Sequence, residues 1–174
     1  MKGNRNAIAE TIENNVRRTI LTRHLNDPAY YERMSALLQE IITARKARAI
    51  EYEEYLTRIA QLARQVEAAV ADDTPEPLKH SPALRALYNN LKQSGATPSP
   101  ANVIAEGRGD GAGSGDPALD MAVEIDGTVK RVRPDDWRGV QARENTIKEA
   151  LFRVLKNQGE VERIFLIVKA QSEY

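Results

Sequence analysis

The only tryptophan of the chain, Trp137, stands between two arginines in the run Arg133-Pro134-Asp135-Asp136-Trp137-Arg138-Gly139. An indole flanked by guanidinium groups can lock two helices together, anchor a protein partner, or stack on a base while the cations hold phosphate. Packing is the preferred reading, because most tryptophans are core residues. Trp137, Arg133 and Arg138 are nevertheless candidate interface residues, together with the tyrosine pair Tyr52/Tyr55. Lys130 and Arg131, just upstream, are candidate DNA contacts, since cations there could touch phosphate. Asp126, Asp135 and Asp136 lie in the same stretch and dilute its field.

Other groupings with chemical potential are weaker. Arg17, Arg18 and Arg23 gather near the end of the first segment, and Arg45, Lys46 and Arg48 in the second. Glu51, Glu53 and Glu54 are acidic neighbours, but adjacent helical residues diverge around the axis, so a solvated face is expected rather than a carboxylate dyad. Asp120 and Glu124 share a helix face and could bind a cation. The residue two after Glu124 is Asp126, so the Asp…Glu-x-Lys pattern of a metal-dependent nuclease fails. His24 and His80 lie far apart without acids at ligand spacing. No serine occupies a Gly-x-Ser-x-Gly elbow. Glycine at every second position from Gly107 to Gly115 invites comparison with a phosphate loop, yet no lysine followed by Ser/Thr and no convincing strand accompanies it, so a flexible linker is expected. Arg108-Gly109-Asp110 spells an adhesion tripeptide, for which chance is the better explanation. The residues thus reveal no active site.

Composition narrows the class. The 174 residues are about one domain, and 25 basic residues balance 25 acidic ones, so no whole-chain field draws in nucleic acid. Absence of cysteine removes disulfides, thiolate nucleophiles and sulfur metal sites. No apolar run approaches the ~20 residues that span a bilayer, and the first residues lack a signal-like apolar core. A soluble cytoplasmic protein, without membrane partners, is expected.

The elements that must position these groups read as helices. Ile8, Ile12, Val16 and Ile20 form one stripe, with Glu13 and Arg17 spaced for an exposed ion pair. Order that begins so near Met1 suggests a chain that starts inside a longer protein. Asp27-Pro28, Ser81-Pro82 and Asp116-Pro117 each repeat one start signal, a capping side chain followed by proline at the first helical position. Apolar periodicity from Met34 to Val70 leaves open one bent helix or two across residues 28–72. Asp72-Asp73-Thr74-Pro75-Glu76-Pro77 reads as a loop, and Gly95 is placed to end the helix carrying Leu84, Leu87, Tyr88 and Leu91. Leu119, Met121, Val123, Ile125, Val129 and Val132 mark the next helix, which Gly127 weakens by about 1 kcal/mol relative to alanine. Pro134 and the Asp135-Asp136 pair stop it and can cap its successor. Val140 to Leu155 carries Glu144 and Lys148 four apart, and Asn157-Gln158-Gly159 closes that helix. Val161 to Val168 permits a strand reading, but the preceding glutamates and the lack of a partner strand favour a helix running towards Tyr174. The expectation is an all-α protein, an irregular bundle of about six to seven helices. Residues 1–94 and 117–174 would contribute to one helical domain, separated by a flexible Pro/Gly-rich loop at 95–116.

Beyond these patterns, the segments AIAETIENNVRRTI (7–20), DPAYYERMSALLQEII (27–42), AIEYEEYLTRIAQLA (49–63), LRALYNNL (84–91), VKRVRPDDWRGVQARENTIKEAL (129–151) and VERIFLIVKAQSEY (161–174) together resemble the carboxy-terminal helical region of type I restriction enzyme R subunits. The joint occurrence of EYEEYL, YNNL, PDDWRG and VERIFLIVKAQ is the specific part. In that family an amino-terminal nuclease domain and two ATP-driven motor domains precede the helical region, and a methyltransferase core of modification and specificity subunits completes the enzyme. The resemblance implies a parent that uses ATP and Mg2+, with no catalytic residue or cofactor in this part. It implies a role in docking onto the methyltransferase core, with DNA engaged through the complete enzyme. A helical module that contacts DNA beside the motor is the alternative.

Overall fold

The computed structural model describes residues 2–70, 74–95 and 115–174, with side chains of residues 2–4 and 77 outside that description. The described residues form seven α-helices and no strand: α1 (Lys2–Arg23), α2 (Pro28–Lys46), α3 (Tyr52–Ala68), α4 (Pro82–Ser94), α5 (Pro117–Val132), α6 (Gln141–Leu155) and α7 (Gln158–Ala170). Gly107, Gly109, Gly111 and Gly113 of the glycine-rich stretch, the Arg108-Gly109-Asp110 tripeptide and Asp72-Asp73 lie outside the described residues.

All three cap-and-proline signals start helices. Tyr30 N donates to Asp27 Oδ1 at 3.2 Å, Leu84 N to Ser81 Oγ at 3.2 Å and Ala118 N to Asp116 Oδ1 at 3.0 Å. Each such bond satisfies an orphan N–H and is worth about 1 kcal/mol. Gly95 ends α4 at φ +64°, the left-handed cap that glycine adopts without strain. The stretch from Pro28 resolves into two helices, broken after Lys46, with Arg48 at φ +56° in the turn. Asn157 opens α7 by accepting from Glu160 N at 3.1 Å, rather than closing α6. Lys156, at φ 55°, takes the left-handed cap of α6 instead. Asp135 and Asp136 do not cap α6, whose N-cap is Val140. The Glu144 carboxylate instead accepts from Gly139 N at 2.8 Å, just outside the helix, and ties the joint to the first turn of α6. The final helix stops at Ala170, short of Tyr174.

The helices divide into two compact units, Met1–Glu76 and Pro77–Tyr174. In the first, α1, α2 and α3 all pack on one another around Val16, Ile20, Tyr30, Met34, Leu38, Tyr55, Ile59 and Leu62. Ile8 is 46% exposed, because residues four apart drift by about 40° per step and carry the start of the stripe off the core face. In the second unit α4 packs on α5, α5 on α6, α6 on α7, and α7 returns to α4, closing a four-helix ring. Its core contains Leu87, Leu91, Ile125, Val129, Ile147, Leu151, Ile164 and Val168. Among the described residues no helix is long and apolar enough to cross a membrane.

Candidate functional site

Trp137 lies in the joint between α5 and α6 and is 2% exposed. Its ring meets Phe165 of α7 at 5.8 Å between centroids, tilted by 59°. This is the helix-locking geometry, and it leaves no indole face for a partner or a base. Trp137 Nε1 is buried without an acceptor, a cost that the packing of the ring must offset. The Arg138 guanidinium lies 4.6 Å from the centre of the same ring. It also donates to the Lys169 carbonyl at 3.1 Å and to that of Gln171, so it terminates α7. Placing a cation on these carbonyls is favourable both as hydrogen bonding and against the helix dipole. Arg143 holds the joint from the other side, donating to the carbonyls of Asp135 and Asp136 at 2.7 and 3.2 Å. Arg133 is exposed at the α5 C-cap.

Arginines from distant positions cap other helix ends in the same manner. In the second unit Arg163 of α7 donates to the Asn90 carbonyl at 3.2 Å and to Ser94 Oγ at 2.9 Å, at the end of α4. In the first unit Arg23 donates to the Glu67 carbonyl at 2.8 Å, at the end of α3. Sequence spacing gave no sign of these caps. The residues after α7 also bind back: Glu173 accepts from Ser81 Oγ at 2.9 Å and from Ala83 N at 3.1 Å, while Tyr174 Oη donates to Asp126 Oδ1 at 2.7 Å. Burial, reinforced by the Asp126 carboxylate, pushes the Tyr174 phenol well above its ordinary value.

The candidate DNA contacts are divided. Lys130 is paired with Asp126 at 2.9 Å, so its charge is largely neutralised. Arg131 donates to Thr128 Oγ1 at 3.2 Å and lines a shallow groove of about 420 Å³ with Asp120, Val123, Glu124 and Gly127. Two carboxylates in that groove oppose phosphate binding.

Tyr52 and Tyr55 stack in the first unit with centroids 6.0 Å apart. Tyr55 is fully buried, and the single proton of its hydroxyl is shared between Glu13 Oε1 at 3.1 Å and the Ala9 carbonyl at 3.2 Å. Tyr52 is half-buried and donates to the Arg5 carbonyl at 3.2 Å. The two tyrosines therefore pin α3 to α1. Glu13 does not form the expected exposed pair with Arg17. It is buried and pairs with Arg45 of α2 at 3.1 Å. Similarly, Glu144 pairs with Lys169 at 2.7 Å, and Lys148 with Glu162 at 2.6 Å, across helices. Hydrogen bonds from Lys169 and the Gly139 N–H hold the Glu144 carboxyl below its ordinary value.

His24 faces Glu32 at 3.7 Å on the surface, and His80 is exposed. Among the described residues no group of three or more histidines and carboxylates could hold a metal ion. Comparison of the chain with protein-family models, curated proteins and solved structures finds no match.

Proposed function

We propose that this chain is the carboxy-terminal helical assembly region of a type I restriction endonuclease R subunit, docking the subunit onto its methyltransferase core. ATP-dependent translocation and Mg2+-dependent cleavage of DNA then belong to other domains of the same protein. The observation that carries this reading is the way the resembling segments interlock. Trp137 and Arg138 of PDDWRG pack on Phe165 and on the Lys169 and Gln171 carbonyls of VERIFLIVKAQ. Arg163 of the latter reaches the Asn90 carbonyl of YNNL. Segments far apart in sequence, read as resembling that region, thus pack against one another, and this supports treating them as parts of one scaffold. EYEEYL plays the same part in the first unit through Tyr52 and Tyr55.

Because Trp137 and Tyr55 are buried, docking falls to exposed groups such as Arg133, Phe152 and Leu166, the last 65% exposed. The alternative, a module that contacts DNA directly, is less favoured, since Lys130 and Arg138 are already engaged. The test mixes the chain with a complex of modification and specificity subunits and follows assembly by sedimentation. A stoichiometric complex at micromolar concentration is expected. Failure to associate, or salt-sensitive binding to duplex DNA in its place, would overturn the reading.

A further inference from the structure

Glu13 is drawn into the core of the first unit by Arg45, and this leaves Arg17 without the carboxylate one turn before it. No neighbour along the helix replaces it, because the sequence from Asn14 to Asn26 contains no acidic residue. Arg17 and Arg18 are exposed and make no ion pair or hydrogen bond among the described residues. Arg23 and His24, the other cations of this stretch, are engaged with Glu67 and Glu32. Leu21 follows Arg17 by one turn and is 70% exposed. Leu25, in the short 3-10 turn His24–Asn26 after α1, is 74% exposed. Val16 and Ile20 carry the core contact of this half of the helix. The two leucines and two arginines therefore serve no packing in the first unit.

We propose that this end of α1 receives an amphipathic helix of a partner protein, one whose aliphatic side chains are flanked by carboxylates. Leucines covered by the partner's aliphatic groups leave water, while Arg17 and Arg18 gain the counterions they lack. An arginine stem also covers apolar surface, so the cations extend the contact around the leucines. Other occupants fit less well. A second copy would set Arg17 and Arg18 against their own kind, since a twofold contact pairs a patch with itself. Duplex DNA would satisfy the guanidinium groups but press both leucines against phosphate. A lipid surface needs a continuous apolar face, and the exposed Asn14, Asn15 and Thr22 interrupt this one. The inference is independent of the assembly reading above, because it names the chemistry of a partner without requiring a methyltransferase core.

The probe is a capped peptide of about 18 residues, long enough to hold a helix, with leucines one turn apart and glutamates on either side of them. Titrated into the isotopically labelled full chain, it should shift the amide resonances between Asn14 and Asn26, with a Kd of roughly 0.1–1 mM. The same peptide with lysine for every glutamate should not bind. Arg17→Glu combined with Arg18→Glu should weaken the acidic peptide by about tenfold or more and should now accept the lysine peptide. Leu21→Gln combined with Leu25→Gln should weaken binding by about tenfold while the melting temperature stays within about 2 °C of wild type. A larger fall would show that the chain itself covers these leucines, and would overturn the proposal. So would an acidic peptide that shifts other residues or none, charge variants that refuse the lysine peptide, or duplex DNA that displaces the acidic peptide from this face.

Discussion

Arg45 of α2 stands 3.1 Å from Glu13 of α1, with side chains only 16% and 10% exposed, and the Tyr55 hydroxyl donates to the same carboxylate oxygen. The Arg45 guanidinium also lies over the Tyr55 ring, 5.2 Å from its centre. One member from each helix of the first unit meets in this cluster. A buried ion pair gains little over an apolar pair, because desolvation cancels much of the attraction, and Arg45 Nε is itself buried without an acceptor. Breaking it from one side leaves a buried charge alone. Glu13→Leu and Arg45→Met should each destabilise the unit by about 3 kcal/mol, and the double variant by clearly less than either. Urea unfolding measures all three, and simple additivity would show that the pair is not coupled.

That pairing marks the limit of what could be read from sequence. Helix starts at Asp27, Ser81 and Asp116 were legible because a cap and a proline act within three residues. The all-α class was legible because apolar periodicity is local. Ion pairs were not, since a spacing of four names only one possible partner on the same helix. Glu13 and Glu144 instead chose Arg45 and Lys169, which the tertiary packing brings near. Burial of Trp137 followed from its chemistry, but its neighbour Phe165 could not be identified before α7 was placed beside the joint. The arginine caps were invisible for the same reason: guanidinium groups that look like a phosphate patch in one dimension are consumed by helix ends in three.

Trp137 fills the junction of α5, α6 and α7, so truncation should act on folding. Trp137→Ala is expected to destabilise the second unit by about 3–5 kcal/mol. Trp137→Phe should cost much less, because it keeps an aromatic against Phe165 and removes the unsatisfied Nε1. Calorimetry on both variants checks this. Unchanged stability in Trp137→Ala would return the indole to the list of surface anchors.

Arg138 makes two carbonyl contacts at the α7 terminus, and their geometry suits a planar fork better than an ammonium. Arg138→Ala should lower stability by about 1–2 kcal/mol. Arg138→Lys should recover only part of this, since it restores charge near the helix end without the paired donors. Amide hydrogen exchange in the last turn of α7 would localise the effect. Equal protection in all three proteins would exclude a capping role.

Acid should loosen the second unit through two carboxylates. Burial works against ionisation of Asp116, but hydrogen bonds from Tyr88, Ala118 N and Leu119 N and the nearby Lys92 outweigh it and hold its carboxyl below the ordinary value. Glu144 is lowered through Lys169 and Gly139 N. For both groups the unfolded chain takes up protons first, so their stabilisation is complete above the ordinary carboxylate range and is lost as pH falls through the folded values. Asp116→Asn combined with Glu144→Gln should flatten the decline in stability below about pH 5. Chemical denaturation from about pH 7 to pH 3 checks the slope, and parallel wild-type and variant curves would show that these groups do not set it.

Alkali should act through the opposite sign at Tyr174. Its phenol is held neutral by burial and by donation to Asp126, so its folded pKa lies above the unfolded value of 10.0. Stability from this group is fully present below that unfolded value and declines as pH rises towards the folded one, because only the unfolded chain then releases the proton. Tyr174→Phe removes a hydrogen bond to a carboxylate and should cost about 1–2 kcal/mol near pH 8. Asp126 keeps Lys130 as a partner, so the variant should still fold. The gap between the two proteins should then narrow by about pH 11, as the wild type loses what the variant never had. Unfolding free energies at the two pH values decide the matter: a gap that stays constant would mean that the Tyr174 hydroxyl is not sealed against Asp126 in the folded protein.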